Sequence, residues 1–442
     1  MITTELTDAE KVRGLRWIIA SDSTSCVFCQ LTVFGSAFIL FLDELGLAKR
    51  QIGFLLSLFP FCGLIALFVA PVVARAGFKS VFLVFWGARK VIIGFLLLTP
   101  WILAHFGFEG AFIYVAAVLA AFAICRAIAE TALYPWLQEV VPDAIRGKFT
   151  AVDNMVSISA GIIAVGAASY VVGHYQGLGR YMWLIGVAVA FGMMSVASAF
   201  SIPGGAPLRS RSAPRTHFVQ VTKALQDRNF LLFLGGLGLT ELAWAPLVSF
   251  VPLFVKEQVG LGSGEVVRLQ TLSLLGGLLS SYLWGWWADR HGSKRVILSS
   301  LLIAVLIPVC WMLIPRNSAW SDVAAMSISF IGGVCSMGML VIGANRLLYV
   351  SVVPPRNKTE YMAVFYAWMG LTAGLGPLLA GRAVDYCRGV SGKFSAFTLD
   401  PYTLLFAASL VAFILAMAFY ARVRDDSWTM PKRLITRSGQ AP

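Results

Sequence analysis

The sequence predicts an all-α membrane protein whose twelve transmembrane helices form two pseudo-symmetric six-helix bundles. Three observations carry that prediction. The 442 residues are 58% hydrophobic and only 13% charged, with a mean hydropathy of +0.78, and a soluble chain of this length needs far more polar residues to cover its surface. Apolar runs of about 18 residues or more recur from end to end, so most of the chain sits in lipid. The two halves of the chain share a register.

Backbone in lipid must satisfy its own hydrogen bonds, which leaves helices or closed barrels. Barrel strands alternate apolar and polar residues, whereas runs such as 51–73 and 81–103 are apolar on every side. Helices therefore win. Apolar runs and their breaks place spans near 17–42, 51–73, 81–104, 111–136, 147–172, 181–202, 230–255, 266–288, 296–314, 322–346, 360–381 and 402–422. The N-terminus is short and polar, with no positive segment leading to a cleavage site, so the first span is expected to be retained. Residues 1–202 form the first bundle, 203–229 a cytoplasmic linker, and 230–442 the second bundle with a cytoplasmic tail. The linker opens Pro203-Gly-Gly-Ala-Pro207, carries Arg209, Arg211 and Arg215, and ends in an amphipathic segment, 218–228, expected at the membrane interface.

Charge sets the orientation. With both termini in the cytoplasm, 22 of the 35 Lys and Arg fall on the cytoplasmic side, nine outside, and four (Arg89, Lys90, Arg126, Arg346) within spans. That asymmetry satisfies the positive-inside rule and places the protein in a cell inner membrane. It also accounts for much of the net charge of +13, which argues against a nucleic-acid partner. Asn357-Lys358-Thr359 spells a glycosylation sequon, but on a cytoplasmic loop, where it has no use. Cys26-Val-Phe-Cys29 spells CxxC inside the first span without a second Cys or His pair, which points to packing.

The halves can be superposed as sequences. Ala70-Pro-Val-Val-Ala74-Arg75-Ala-Gly77-Phe-Lys79 follows the second span and Gly285-Trp-Trp-Ala-Asp289-Arg290-His-Gly292-Ser-Lys294-Arg295 follows the eighth, 215 positions on (Ala70 to Gly285). Val140-Val-Pro142 matches Val352-Val-Pro354 at 212. Parallel repeats of this kind mark a large class of secondary transporters. The run from Gly285 to Arg295 resembles the signature loop of the major facilitator superfamily, which joins the second and third helices of each half. Gly292 permits a tight turn, and Asp289 can accept hydrogen bonds from Arg290 or from a neighbouring helix. The resemblance implies a network that latches one conformation and breaks as the halves rock. The first-half copy has Ala70 and Ala74 in place of Gly and Asp and keeps only Arg75, Gly77 and Lys79, so the stronger latch is expected in the second half.

Ionisable groups deep in spans are functional candidates by default, and the resemblance implies that the first, fourth, seventh and tenth helices line a central cavity. Glu241 lies eleven residues into the seventh span, roughly 16 Å along a core about 30 Å thick. Desolvation there favours the neutral acid, which suits a proton carrier; the bland reading is an acid that locks the helix to a neighbour. Trp244 lies on nearly the same face, with Pro246 beside it. Arg126 and Glu130, at i and i+4, form either an anion-binding Arg with a switchable acid or a structural ion pair. Asn345 and Arg346 lie near the inner end of the tenth span, facing the cavity or snorkelling to the headgroups. Gln30, near mid-depth in the first span, is a candidate substrate contact. Arg89 and Lys90 are neighbours in the third span, so at most one faces the cavity; the favoured reading instead pairs Arg89 with an acid on an adjoining helix, for which Asp153 on the fifth span is available.

Function follows from these placements. The expected activity is secondary active transport of a small polar organic solute, sugar-like or an organic anion, by alternating access with proton coupling through Glu241 or Glu130. The alternative is a drug or metabolite efflux antiporter. Family antiporters carry Gly-Pro in the fifth helix, whereas here the pair is Gly376-Pro377 in the eleventh. An enzyme or sensor is disfavoured: His105, His174, His217 and His291 are unclustered, and no metal spacing, phosphate loop or nucleophile elbow occurs. No cofactor or metal is expected, and the protein is expected to work as a monomer with its solute, protons and the lipid bilayer as partners.

Overall fold

The computed structural model describes residues 7–142, 145–206, 225–353, 358–390, 392–394 and 397–425. Most of the expected amphipathic segment 218–228, and Asn357 of the sequon, lie outside them.

Apolar composition sets where helices run, and Gly or Pro sets where they bend. The first span is two helices, α1 (Asp8–Leu31) and α2 (Ser36–Glu44). They part at Gly35, where a side chain would collide with the Gln30 carbonyl. The apolar run 17–42 thus forms a discontinuous helix with a turn of irregular backbone packed inside protein. Next, α3 (Lys49–Cys62) passes through a 3-10 turn at Gly63–Ile65 into α4 (Ala66–Ala76). The following α5 (Phe78–Gly94) leads through Phe95–Leu98 into α6 (Thr99–Val140), which folds back at Gly107, φ 67° and ψ −167°. The stretch 78–140 therefore holds two crossings. The half closes with α7 (Arg146–His174) and α8 (Gly179–Phe200).

In the second half, α9 (Arg228–Phe254) ends in a π turn, Val255–Val259, and is followed by α10 (Ser263–His291). The ninth span is α11 (Ser293–Ala304) and α12 (Leu306–Leu313). The tenth runs from α13 (Ser321–Ser336) through a π segment, Met337–Ala344, to α14 (Asn345–Leu347) and Leu348–Val352. The eleventh is α15 (Lys358–Tyr386) and the last α16 (Thr403–Arg422). Between them an antiparallel hairpin, β1 (Gly392–Phe394) and β2 (Phe397–Leu399), pairs Gly392 with Leu399. Among the described residues, ten helical stretches are long and apolar enough to cross a membrane. Splitting 78–140 and adding α3–α4 recovers the twelve predicted crossings.

Two compact units emerge. The first joins Met1–Ser212 with Ser249–Thr271 and Pro377–Asp385, so it recruits two segments of the second sequence half. Within it Phe82 stacks on Trp86, centroids 4.6 Å apart, and Trp136 packs on Phe82, filling a core with Ile18 and Ala132. At the α7–α10 crossing a methyl group on Gly264 would lie 2.6 Å from the Gly173 Cα, so backbone meets backbone there, and the Ser169 hydroxyl donates to the Gly264 carbonyl at 2.7 Å. Small residues permit such approaches between apolar helices. The second unit, Ala213–Val248, Leu272–Gly376 and Tyr386–Pro442, packs α9 on α15 and α16 through glycines. Methyl groups on Gly236 and Gly376 would lie 2.9 Å from the Tyr420 ring and 3.0 Å from Pro246.

Candidate functional site

The signature loop is built the same way in both halves. Gly77 (φ 98°) and Gly292 (φ 86°) each join two helices in a left-handed conformation that a Cβ would strain. Two residues on, the lysines repeat as well. Lys79 donates to the Phe200 and Ile202 carbonyls at 2.9 and 2.6 Å, and Lys294 to those of Ala421 and Val423 at 2.7 and 2.8 Å. Each ammonium caps the last helix of its half, where carbonyls are left without partners and the helix dipole is negative.

The halves then diverge. Asp289, at the end of α10, forms an ion pair with Arg346 on α14. Arg290 does not serve Asp289 but lies over the Trp286 ring at 4.2 Å. Asn345 donates back to the Val341 carbonyl of its own turn at 2.8 Å. The structure thus brings Arg346 into the signature network. Gly285 and Arg75 complete the motif: a methyl group on Gly285 would meet nothing within 4 Å, and Arg75 is exposed at the end of α4.

Deeper in the first unit, Arg126 Nε donates to Glu130 at 2.6 Å and its guanidinium lies 4.7 Å from the Phe34 ring centroid. Their side chains are 27% and 38% exposed, so the pair borders accessible space. Gln30 accepts from Gln270 Nε2 at 2.6 Å, while Gln270 Oε1 accepts from the Ser36 amide. One side chain of α10 therefore holds the break between α1 and α2. Arg89 donates to Ser25 on α1 at 3.3 Å, not to Asp153 as the sequence suggests. In the second unit Glu241 is buried, and among the described residues no hydrogen bond or ion pair engages it. Trp244, a turn along, reaches α13, where a methyl group on Gly332 would lie 3.4 Å from its ring. Among the described residues no cluster of metal-ligating side chains occurs.

Sequence reasoning missed one polar cluster. Lys49 Nζ sits between Asp43 (2.6 Å) and Glu257, and Lys256 Nζ donates to the other Asp43 oxygen at 2.8 Å. Two acids and two lysines from α2, α3 and the π turn after α9 form a neutral hub. The signal was present: Asp43 and Lys256 stand 213 residues apart, within the repeat register. Beside it Arg180 pairs with Glu44 and donates to the Val172 carbonyl at 2.6 Å.

Known proteins resemble this chain over most of its length in fold and over less in sequence. The family model described as Major Facilitator Superfamily matches residues 23–341 and 233–437. The crystal structure of a nucleoside transporter, NupG, covers 92% of this chain and 98% of its own at 15% identity, TM-score 0.66. A D-xylose-proton symporter covers 93% and 98% at 12% identity, TM-score 0.70. Among curated relatives, the multidrug resistance protein MdtG of Dickeya zeae is 28% identical over 206 residues, 45% of each chain. A Na(+), Li(+), K(+)/H(+) antiporter of Planococcus maritimus is 25% identical over 131 residues, 29% of this chain and 30% of its own. The chain thus aligns with less than half the length of either.

Proposed function

We propose that this chain, which belongs to the major facilitator superfamily, uses its place among secondary transporters of the inner membrane to move a small polar organic solute coupled to protons. Glu241 carries the reading. A carboxyl buried about mid-depth with no hydrogen bond or ion pair among the described residues is costly to keep ionised, and proton exchange at such a group is the use that repays the cost. Trp244, one turn away, offers a flat apolar face to a solute ring. Glu130 is the second proton candidate, since its exchange of a proton would release Arg126. Arg346, Asp289 and the two glycine–lysine turns form the conformational latch rather than the solute site, while Gln30 and Asn345 act by holding backbone. The protein works as a monomer with both termini in the cytoplasm.

The names of the sequence relatives favour a second reading, efflux of a drug or metabolite by proton antiport. Gly376-Pro377 does not add to it, because close packing of Gly376 against Pro246 already explains that glycine. Purified protein in liposomes separates the two. With a solute panel and an imposed pH gradient, symport accumulates solute on the alkaline side and antiport on the acidic side. Equal uptake with and without the gradient refutes proton coupling.

A further inference from the structure

The interior of the first unit holds two adjacent cations to which none of its carboxylates is hydrogen-bonded. Arg89 and Lys90 on α5 are 1% and 0% exposed. Arg89 brings five N–H donors and Lys90 three, yet both turn to one neutral acceptor, the Ser25 hydroxyl, at 3.3 and 2.9 Å. That oxygen has two lone pairs, and Arg89 Nε is left without a partner. The Cys29 thiol beside Arg89 is a weak acceptor. The remaining stabilisation is aromatic, with Arg89 3.4 Å from the Trp86 ring centroid and Lys90 3.7 Å from that of Phe28.

The acids of the same bundle offer no hydrogen bond to either cation. Glu130 is held by Arg126. Asp22 lies beside Asp153 and acts on Arg89 and Lys90 through space only. A buried cation without a hydrogen-bonded counter-ion destabilises a fold, and a bound anion would remove the cost.

We propose that Arg89 and Lys90 receive the anionic group of the transported solute, so that the cargo carries a carboxylate or a phosphate rather than being a neutral sugar. The inference rests on the transport reading above and narrows it. The accessible Arg126–Glu130 pair lies next to Arg89 on the approach, so an entering anion meets Arg126 first. Ser25 then surrenders its two donors to the solute. The aromatic faces of Trp86 and Phe28 hold the cations in place while the site is empty.

The test compares thermal stability of the purified protein with Arg89→Gln and Lys90→Met, alone and with glucose, glucuronate and glucose 6-phosphate. These probes share a ring and differ in charge. Without ligand, each substitution should raise Tm by about 3 °C, because it removes a buried charge without a hydrogen-bonded counter-ion. Glucuronate or glucose 6-phosphate should raise the wild-type Tm more than glucose, and whichever acts identifies carboxylate or phosphate. Both variants should lose that difference. A lower ligand-free Tm in the variants would mark the cations as structural counter-ions and overturn the proposal. Anion shifts no larger than the glucose shift, or shifts that persist in both variants, overturn it as well. Failure of the transport reading looks different: the anions stabilise the protein but are never accumulated by liposomes that contain it.

Discussion

Lys49→Met tests the hub of Asp43, Lys49, Lys256 and Glu257. Lys49 is about nine-tenths buried in its side chain, as is most of Asp43, while Glu257 and Lys256 are one-third exposed (10%, 15%, 33% and 30%). Removing one partner from a fully buried pair costs about 3–5 kcal/mol, and an exposed pair is worth about 0.2–1 kcal/mol. The hub lies between these limits, and Lys256 stays on Asp43 after the substitution, so about 2 kcal/mol is lost. Those contacts join α2 and α3 to the segment after α9. At about 1.4 kcal/mol per factor of ten, the variant should populate the state with this junction parted roughly 30-fold more. Gln270 is bound to Gln30 in the same unit. In a background with the seven native cysteines replaced, Gln270→Cys should react with a membrane-impermeant maleimide roughly 30-fold faster when Lys49→Met is added. Lys49→Arg, which keeps the charge, should react at the parental rate. A Lys49→Met rate equal to the parent would refute the claim that the hub holds this junction together.

Two further outcomes follow from the signature turns and the latch. Gly292→Ala places a Cβ at φ 86°, so it should lower stability by about 1–2 kcal/mol and slow transport, read as Tm and initial uptake rate; Gly285→Ala, with open space around it, should change neither. Asp289→Asn removes the Arg346 ion pair; because Asp289 is largely exposed the stability loss should stay within about 1 kcal/mol, and the effect should instead appear as a changed ratio of inward to outward accessibility in cysteine labelling.

Most of the architecture was legible because lipid allows so few solutions. Long apolar runs and the repeated Gly–x–Lys turn marked the crossings and the likeness of the two signature turns. The break at Gly35 was not visible, since the residues around it are as apolar as any helix interior and only the carbonyl of Gln30 forbids a side chain there. The hairpin at 392–399 was hidden by its three-residue strands. Among site residues, the Arg126–Glu130 pair followed from i, i+4 spacing. Arg346 with Asp289 is separated by 57 positions, and no local pattern signals such a partner. The same limit applies to Arg89: a sequence offers Asp153 as a counter-ion, but only packing decides that Arg89 turns to Ser25 instead.

Proton coupling through Glu241 is the central claim, and Glu241→Gln in liposomes tests it most directly. The amide keeps the size and hydrogen-bonding capacity of the side chain but cannot carry the proton. Solute accumulation driven by a pH gradient should be abolished, while counterflow exchange, which needs binding and alternating access but no net proton movement, should persist at near wild-type rate. Undiminished gradient-driven accumulation by Glu241→Gln would contradict the account.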